Sequence, residues 1–215
     1  MDWRDWINQS LPRTEIMRGG ATVWESGAHG LIGDTLGPVM HLHDGASEIF
    51  YFVSGKCRLE VGKNEEYFES GDFVLVPPQV PHNLWNAGEE DLLVFWIVSP
   101  HMSEDKWRTE SITSEEMKLR VVRSRVEQGV DLPSDGNIHS QLHTLGLGNQ
   151  LTNQTMVKQE AVIYITEGQA EIKIGKLGGR LVQNDFVHVP VNTPYSAIPV
   201  GGSASVIIFE MPRRD

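Results

Sequence analysis

Four side chains that could bind a metal lie close together in the sequence, between residues 41 and 82. His41 and His43 are two positions apart, so on a β-strand both side chains point to the same face. Glu48 opens the next apolar run after a short polar turn, and His82 follows a proline-rich segment. Three imidazoles and one carboxylate suit a divalent transition ion. We therefore predict one metal site, with His41, His43, Glu48 and His82 as its ligands.

The alternative for any histidine in this sequence is a core or surface side chain with a satisfied hydrogen bond. Burying these four groups together without a metal would cost several kcal/mol in desolvation, and one shared ion would offset that cost. Metal binding is therefore the better interpretation for this group. Ordinary structural roles are expected for the other histidines: His29, His101, His139, His143 and His188.

The elements that must position these side chains are short apolar strands separated by glycine-containing turns. Many short strands with regular turns are typical of an all-β sandwich or barrel. The strands are predicted at 21–26, 31–36, 38–43, 48–54, 57–61, 65–69, 72–76, 82–86, 91–98 and 118–126.

Two other elements are expected outside these strands. One is a short amphipathic helix over residues 2–10, and the other is a polar linker, with some helical character, over residues 99–116.

The second half of the sequence repeats the first half with an offset of 113 residues. Gly55 then aligns with Gly168, and Tyr51 aligns with Tyr164. From Glu48 to His82 the alignment has ten identical pairs and needs no insertion or deletion, and every turn is kept. A fixed internal period of this kind indicates two copies of one β-domain.

The spacing of the first-half residues resembles the two sequence motifs of the cupin family. The first motif, His-x-His followed by a glutamate and a glycine, corresponds to His41, His43, Glu48 and Gly55. The second motif corresponds to Gly71, Pro77, His82 and Asn86. Two positions depart from the pattern: Gly37 stands closer to the first histidine than the family glycine does, and Gln79 replaces a glycine. Both departures concern turn geometry rather than the ligands.

The resemblance covers both halves and implies two tandem cupin barrels, each a jelly roll or double-stranded β-helix. We predict an N-terminal barrel over residues 1–112 that carries the metal site, and a C-terminal barrel over residues 113–215. At the ligand positions the second copy has different residues: Gln154, Met156, Ala161 and Tyr195. These are poor ligands for a divalent ion, so we expect one metal per chain. The second barrel would be a structural partner or a binding pocket for an organic molecule.

For function, the resemblance to quercetin dioxygenase-like bicupins implies a metal-dependent dioxygenase that acts on a small, partly apolar organic substrate. Glu48 would then be both a ligand and the acceptor of the substrate proton. The cofactor would be one divalent transition metal: Fe, Mn, Ni, Cu or Zn. A non-redox isomerase or lyase, and a non-catalytic binder of a metal or small molecule, remain alternatives.

Two neighbouring features bear on these alternatives. Sugar-phosphate isomerases of this fold would need a cation aimed inward, and Lys56 and Arg58 are near the site with undetermined orientation. Cys57 is either a thiol at the site or, as we prefer, a small buried apolar residue.

Composition narrows the partners and the compartment. The 215 residues carry 18 Lys and Arg against 29 Asp and Glu, a net charge of −11, which argues against nucleic acid or an anionic membrane as a partner. The single cysteine allows no internal disulfide, and we find no signal peptide or membrane span, so a cytoplasmic location is expected. A homodimer through sheet edges is also plausible.

Overall fold

A computed structural model describes residues 22–28, 40–61, 64–99, 107–108, 122–127, 129–155 and 158–212. All regular secondary structure in these residues is β-strand, as predicted. The strands are β1 Thr22–Ala28, β2 Leu42–His43, β3 Ser47–Ser54, β4 Lys56–Val61, β5 Asn64–Glu69, β6 Asp72–Val76, β7 His82–Asn86, β8 Leu92–Ser99, β9 Trp107–Arg108, β10 Val122–Arg125, β11 His139–Leu145, β12 Leu151–Thr155, β13 Gln159–Ile174, β14 Leu177–Val182, β15 Phe186–Val189 and β16 Pro194–Pro212. Within these ranges there is no helix with the length and hydropathy of a membrane span.

The first barrel is built from two antiparallel sheets. The larger sheet has the strand order β1-β8-β3-β6-β10, and the smaller sheet has the order β5-β4-β7. Alternate residues of these strands point between the sheets, as the period-two pattern requires. Phe50 and Phe52 of β3 meet Leu59 of β4 and Leu84 of β7 in this interior.

The second barrel has one continuous sheet in which β11, β16, β13 and β14 are neighbours. Strand β12 also pairs with β16, and β15 pairs with β13. The long strands β13 and β16 each run through a whole side of the barrel, where the first barrel uses two separate strands. The interior contains side chains such as Ile163, Leu181 and Val206.

The strand pairing confirms the internal repeat. Glu48 pairs with Val76 in the first barrel, and Ala161 pairs with Val189 in the second, each shifted by 113 residues. The turns repeat as well, because residues with a positive φ recur at the same offset. Gly55 has a φ of 82° and Gly168 one of 71°. The fold is therefore two tandem barrels, in agreement with the sequence.

An apolar layer lies between the two barrels. It is formed by the outward side of the larger first sheet and by the corresponding side of β13, β15 and β16. Phe95 is at its centre, with ring centroids 4.5 Å from Tyr164, 5.1 Å from Phe186 and 5.6 Å from Phe209. We call this set of packed rings the inter-barrel layer.

A polar contact continues this interface next to the candidate ligand Glu48. The hydroxyl of Ser47 donates a hydrogen bond to Oδ2 of Asp135. The amide of Asn137 donates to the Ser47 hydroxyl at 2.9 Å and to the carbonyl of Gly45 at 3.1 Å. The loop before β11 is therefore tied to the strand that carries Glu48.

Some predicted elements lie outside the described residues, and one segment of the expected linker forms a strand instead. The helix over 2–10 and the strand over 31–36 fall outside the described residues. Trp107–Arg108, inside the expected linker, forms strand β9 and pairs with Leu42–His43. Strand β10 is the predicted strand over 118–126, and it pairs with β6 of the first barrel. The boundary between residues 112 and 113 stays a prediction.

Candidate metal centre

Three strand segments bring the four predicted ligands to one end of the first barrel. His43 lies on β2, Glu48 on β3 and His82 at the first residue of β7. His41 is joined to His82 by two backbone hydrogen bonds, of 3.1 Å from the His41 amide and 2.8 Å from the His82 amide. The backbone pairing therefore places the first and last histidines of the motif side by side.

The donor atoms of His41, His43, Glu48 and His82 all lie within 4.8 Å of one another. Oε2 of Glu48 is 2.7 Å from Nε2 of His82 and 3.2 Å from Nε2 of His43. The ring of His41 completes the group, with its centroid 4.6 Å from that of His82 and 5.2 Å from that of His43. No other group of this kind occurs among the residues described.

The carboxyl group of Glu48 is ionised in this setting. Glu48 is 5% exposed, and burial by itself raises its pKa. Hydrogen bonds and charge interactions with His43 and His82 lower this pKa. Together they outweigh the effect of burial, so the pKa of Glu48 is well below its usual range. The centre thus has a permanent negative charge surrounded by imidazoles.

The orientation of His82 shows that the group suits a metal. Its Nδ1 is 2.9 Å from the carbonyl oxygen of Val80, which can only accept a hydrogen bond, so Nδ1 carries a proton. Nε2 therefore faces Glu48, and a cation must compensate the two opposed lone pairs. A proton can do this, and so can a divalent ion held by nitrogen and oxygen donors. A backbone carbonyl that fixes the ring in this way is typical of metal-binding histidines.

Aromatic side chains border the centre on the barrel's interior side. The ring of Phe50 meets that of His82 edge-on, with centroids 5.9 Å apart. Trp96 packs against Phe50 in a second edge-on contact, also at 5.9 Å. Both residues are buried members of the interior cluster. The surroundings of the four polar groups are therefore largely apolar.

The turn that departs from the family pattern has the backbone conformation that a glycine would favour. Gln79 adopts a φ of 63°, a left-handed conformation that glycine accepts more easily than other residues. Its backbone amide donates a hydrogen bond of 2.7 Å to the carbonyl of His43. Asn192 has a φ of 55° at the equivalent position of the second barrel. The replacement of glycine by glutamine therefore does not alter how the turn holds the His43 strand.

The side chains of Lys56, Cys57 and Arg58, which the sequence placed near the site, alternate between the two faces of β4. Cys57 points into the interior and is fully buried, and burial raises the pKa of its thiol to about 12. It is a buried apolar residue, as preferred. Arg58 points outward, where it donates to Glu65 at 3.0 Å and lies 5.3 Å from the ring of Trp85. Lys56 is exposed, so neither cation of β4 is aimed at the centre.

The second barrel has no such centre within its described residues. Gln154 and Tyr195 are paired across β12 and β16, at the positions of His41 and His82. Burial and the nearby charge of Glu210 raise the pKa of Tyr195 to about 12, so it is a neutral phenol at neutral pH. Ala161 offers no donor, and Met156 lies outside the described residues.

The other histidines have separate environments. His188 is 2.8 Å from the buried carboxylate of Glu160, and Nε2 of His139 is 2.8 Å from the amide nitrogen of Gln141. His29 and His101 lie outside the described residues. His143 is different, because it lines a cavity at the mouth of the second barrel. The sequence allowed a pocket for an organic molecule in this barrel but did not indicate its lining, because the lining depends on which strands become neighbours.

Comparison with known proteins finds a family match in the first half of the chain. Residues 32–98 match the model of the cupin domain. This part of the chain is a cupin domain. A stretch of 67 residues of the chain is 25% identical to an uncharacterized protein of Methanocaldococcus jannaschii, a match that covers 31% of the chain and 54% of that protein. The match therefore spans about half the length of that relative.

Solved structures extend the likeness to both barrels. A salicylate 1,2-dioxygenase from Pseudaminobacter salicylatoxidans superimposes with a TM-score of 0.71 and 12% identity, over 89% of this chain and 71% of that chain. A protein described as glyoxylate-induced, from Pseudomonas aeruginosa, superimposes with a TM-score of 0.65 and 11% identity, over 91% and 76% of the two chains. At these identities the likeness shows the fold.

Proposed function

We propose that this cupin binds one divalent transition metal through His41, His43, Glu48 and His82, and that it is a dioxygenase of a small, partly apolar organic substrate. The observation that carries the proposal is the convergence of four donor atoms within 4.8 Å in a buried setting. Among proteins of this fold, the salicylate 1,2-dioxygenase supports the choice of reaction.

Three imidazole nitrogens and one carboxylate leave coordination positions free for a substrate or for dioxygen. The bound ion would supply Lewis-acid chemistry and, if it is Fe, Mn, Ni or Cu, redox chemistry with dioxygen. The protein's part is to hold the donors in place. The Val80 carbonyl fixes the ring of His82, and the Gln79 amide fixes the strand of His43.

Glu48 is suited to a second role as a proton acceptor. Its Oε2 contacts His43 and His82, whereas Oε1 makes no hydrogen bond with any residue in the described part of the chain. Oε1 is thus the atom that can accept a proton from a hydroxyl group of the substrate.

Phe50 and Trp96 favour a substrate with an apolar or aromatic part. The ring of Phe50 lies beside that of His82, and Trp96 packs against Phe50, so this side of the centre has an apolar wall. A buried apolar wall with a few polar groups is the usual composition of a small-molecule site. Neither Lys56 nor Arg58 points inward, so β4 supplies no cation for the phosphate of a sugar-phosphate substrate.

The test is oxygen uptake by the metal-loaded full chain. The protein would be loaded separately with Fe(II), Mn(II), Ni(II) and Cu(II), and oxygen consumption measured with salicylate, gentisate and enolisable flavonols. We expect consumption that depends on both metal and substrate, and that is lost in Glu48→Gln. His139→Gln is a matched control, because this exposed histidine is outside the centre.

Metal binding without oxygen uptake on any of these compounds would favour the non-redox isomerase or lyase, or the non-catalytic binder. Failure to bind any of the ions would remove the proposal altogether.

A further inference from the structure

A cavity opens at the mouth of the C-terminal barrel, at the position equivalent to that of the candidate metal centre in the N-terminal barrel. Its volume is about 280 Å³. That size is near the lower end of small-molecule sites, which are commonly about 300–1,000 Å³. Its lining consists of Gln141, His143, Leu151, Gln154, Thr155, Gln159, Tyr195, Ile208 and Glu210.

The cavity contains a carboxylate in a different place from the first barrel. In β13, Ala161 occupies the position equivalent to Glu48. On the neighbouring strand, Glu210 is paired with Ala161 and points to the same face. In the first barrel the residue paired with Glu48 at this place is Val98. The second barrel has thus kept one negative charge at its mouth but supplies it from β16.

Two polar groups in the cavity have no partner in the described part of the protein. Tyr195 is only 3% exposed, yet its hydroxyl makes no hydrogen bond with a described residue. The carboxylate of Glu210 likewise makes none among those residues. Both residues line the cavity, so the phenol and the carboxylate are available to a bound molecule.

The chemistry of the lining selects the type of molecule. Glu210 is the only carboxylate in the lining, and no lysine or arginine is present there, so an anion would be repelled. Burial lowers the pKa of His143, so this histidine is neutral at neutral pH. Gln141, Gln154 and Gln159 each offer both donors and an acceptor, as hydroxyl groups do.

We propose that the C-terminal barrel binds a small neutral polyol, such as a monosaccharide, in this cavity. A pair of neighbouring hydroxyls would donate to Glu210, and others would pair with the glutamine amides and Tyr195. Leu151 and Ile208 offer an apolar surface for the carbon–hydrogen face of the molecule. The site is separate from the metal centre, and the proposal does not depend on the metal.

The test is saturation-transfer NMR on the full chain with D-xylose as the probe. We expect saturable binding in the millimolar range, weakened about ten-fold or more in Glu210→Gln, because the variant removes a charged hydrogen-bond acceptor. Tyr195→Phe should weaken binding by a smaller factor of about two to ten, since it removes a neutral hydrogen bond. Both variants keep the shape of the side chain, and a thermal unfolding curve checks that each is folded.

Glu171→Gln is the matched control, because this exposed glutamate of β13 lies opposite Arg180 on the outer side of the barrel. It should bind D-xylose as the original chain does. Ethanolamine and acetate are cationic and anionic probes of similar polarity, and neither should bind saturably. The proposal is overturned if D-xylose does not bind saturably, if Glu210→Gln binds it unchanged, or if ethanolamine binds more tightly.

Discussion

Gly55 lies at the corner where the chain passes from β3 in the larger sheet to β4 in the smaller sheet, and its replacement by alanine should destabilise the first barrel strongly. Two effects add. Gly55 has a φ of 82°, a left-handed conformation that costs a residue with a side chain about 1–2 kcal/mol. In addition, an added Cβ would lie 2.6 Å from the carbonyl oxygen of Asp91 and 2.8 Å from the Cα of Leu92.

Gly71 separates these two effects. It has a φ of 88°, but an added Cβ would come no closer than 3.8 Å to any atom, the nearest being in the side chain of Arg125. Gly71→Ala should therefore cost only the conformational term, about 1–2 kcal/mol. Gly55→Ala must also move the backbone at the start of β8, which adds about 1–3 kcal/mol, as overpacking does elsewhere.

The assay is thermal unfolding of the full chain without added metal. For a chain of this size, each kcal/mol lowers Tm by roughly 2–4 °C, so Gly55→Ala should unfold roughly 2–12 °C below Gly71→Ala. Gly168→Ala should reproduce the larger effect in the second barrel, because its Cβ would meet the carbonyl oxygen of Ser203 at 2.6 Å. Equal losses for Gly55→Ala and Gly71→Ala would refute the reasoning from close approach.

Three further predictions concern the centre and its turn. His41→Ala and His82→Ala should each lose the metal, whereas Tyr195→Ala should keep one ion per chain. Elemental analysis of the purified variants measures this stoichiometry. Two ions per chain would contradict the assignment of a single centre. Removing the metal with a chelator should lower Tm by roughly 5–10 °C if the free ion was about 100-fold above its Kd. An equal drop in His82→Ala would show that the effect does not come from this centre. Gln79→Gly should stabilise the protein by about 0.5–1 kcal/mol in a denaturant titration, because glycine relieves the left-handed conformation. A destabilised variant would mean that the Gln79 side chain makes a compensating contact.

The group of four potential ligands and the repeat could be predicted, because the cupin-like motif spacing and the fixed offset are both visible in the sequence. His41 and His43 share a face on any strand, and the turn glycines fix where each strand ends. The offset of 113 residues extends the strand plan of residues 48–82 into the second barrel. That His82 lies beside His41 depends on the pairing of their backbones, which only the resemblance to the cupin motifs implied.

A pocket in the second barrel was one of the predicted alternatives, but its lining could not be predicted, because the lining depends on nonlocal pairing. Glu210 faces Ala161 only through the register of β16 against β13. The repeat offset is 112 rather than 113 at this strand, since Val98 is the residue paired with Glu48. A search at the fixed offset therefore passes over Glu210. Strand β9 was missed for a similar reason, because its two residues carry no strand pattern of their own and depend on pairing with β2.

The two faces of strand β13 are under different requirements. Residues such as Tyr164 pack into the inter-barrel layer, against Tyr51 and Phe95, while the alternate residues fill their own barrel. The residues in the inter-barrel layer cover the apolar side of the larger sheet of the first barrel, which would otherwise be exposed to water. This role does not depend on which side chains line the mouth of the second barrel. A tandem copy can therefore exchange its ligands for other side chains at little energetic cost and still be indispensable to its neighbour. This separation explains how one half of a molecule can change its chemistry while its architecture stays fixed.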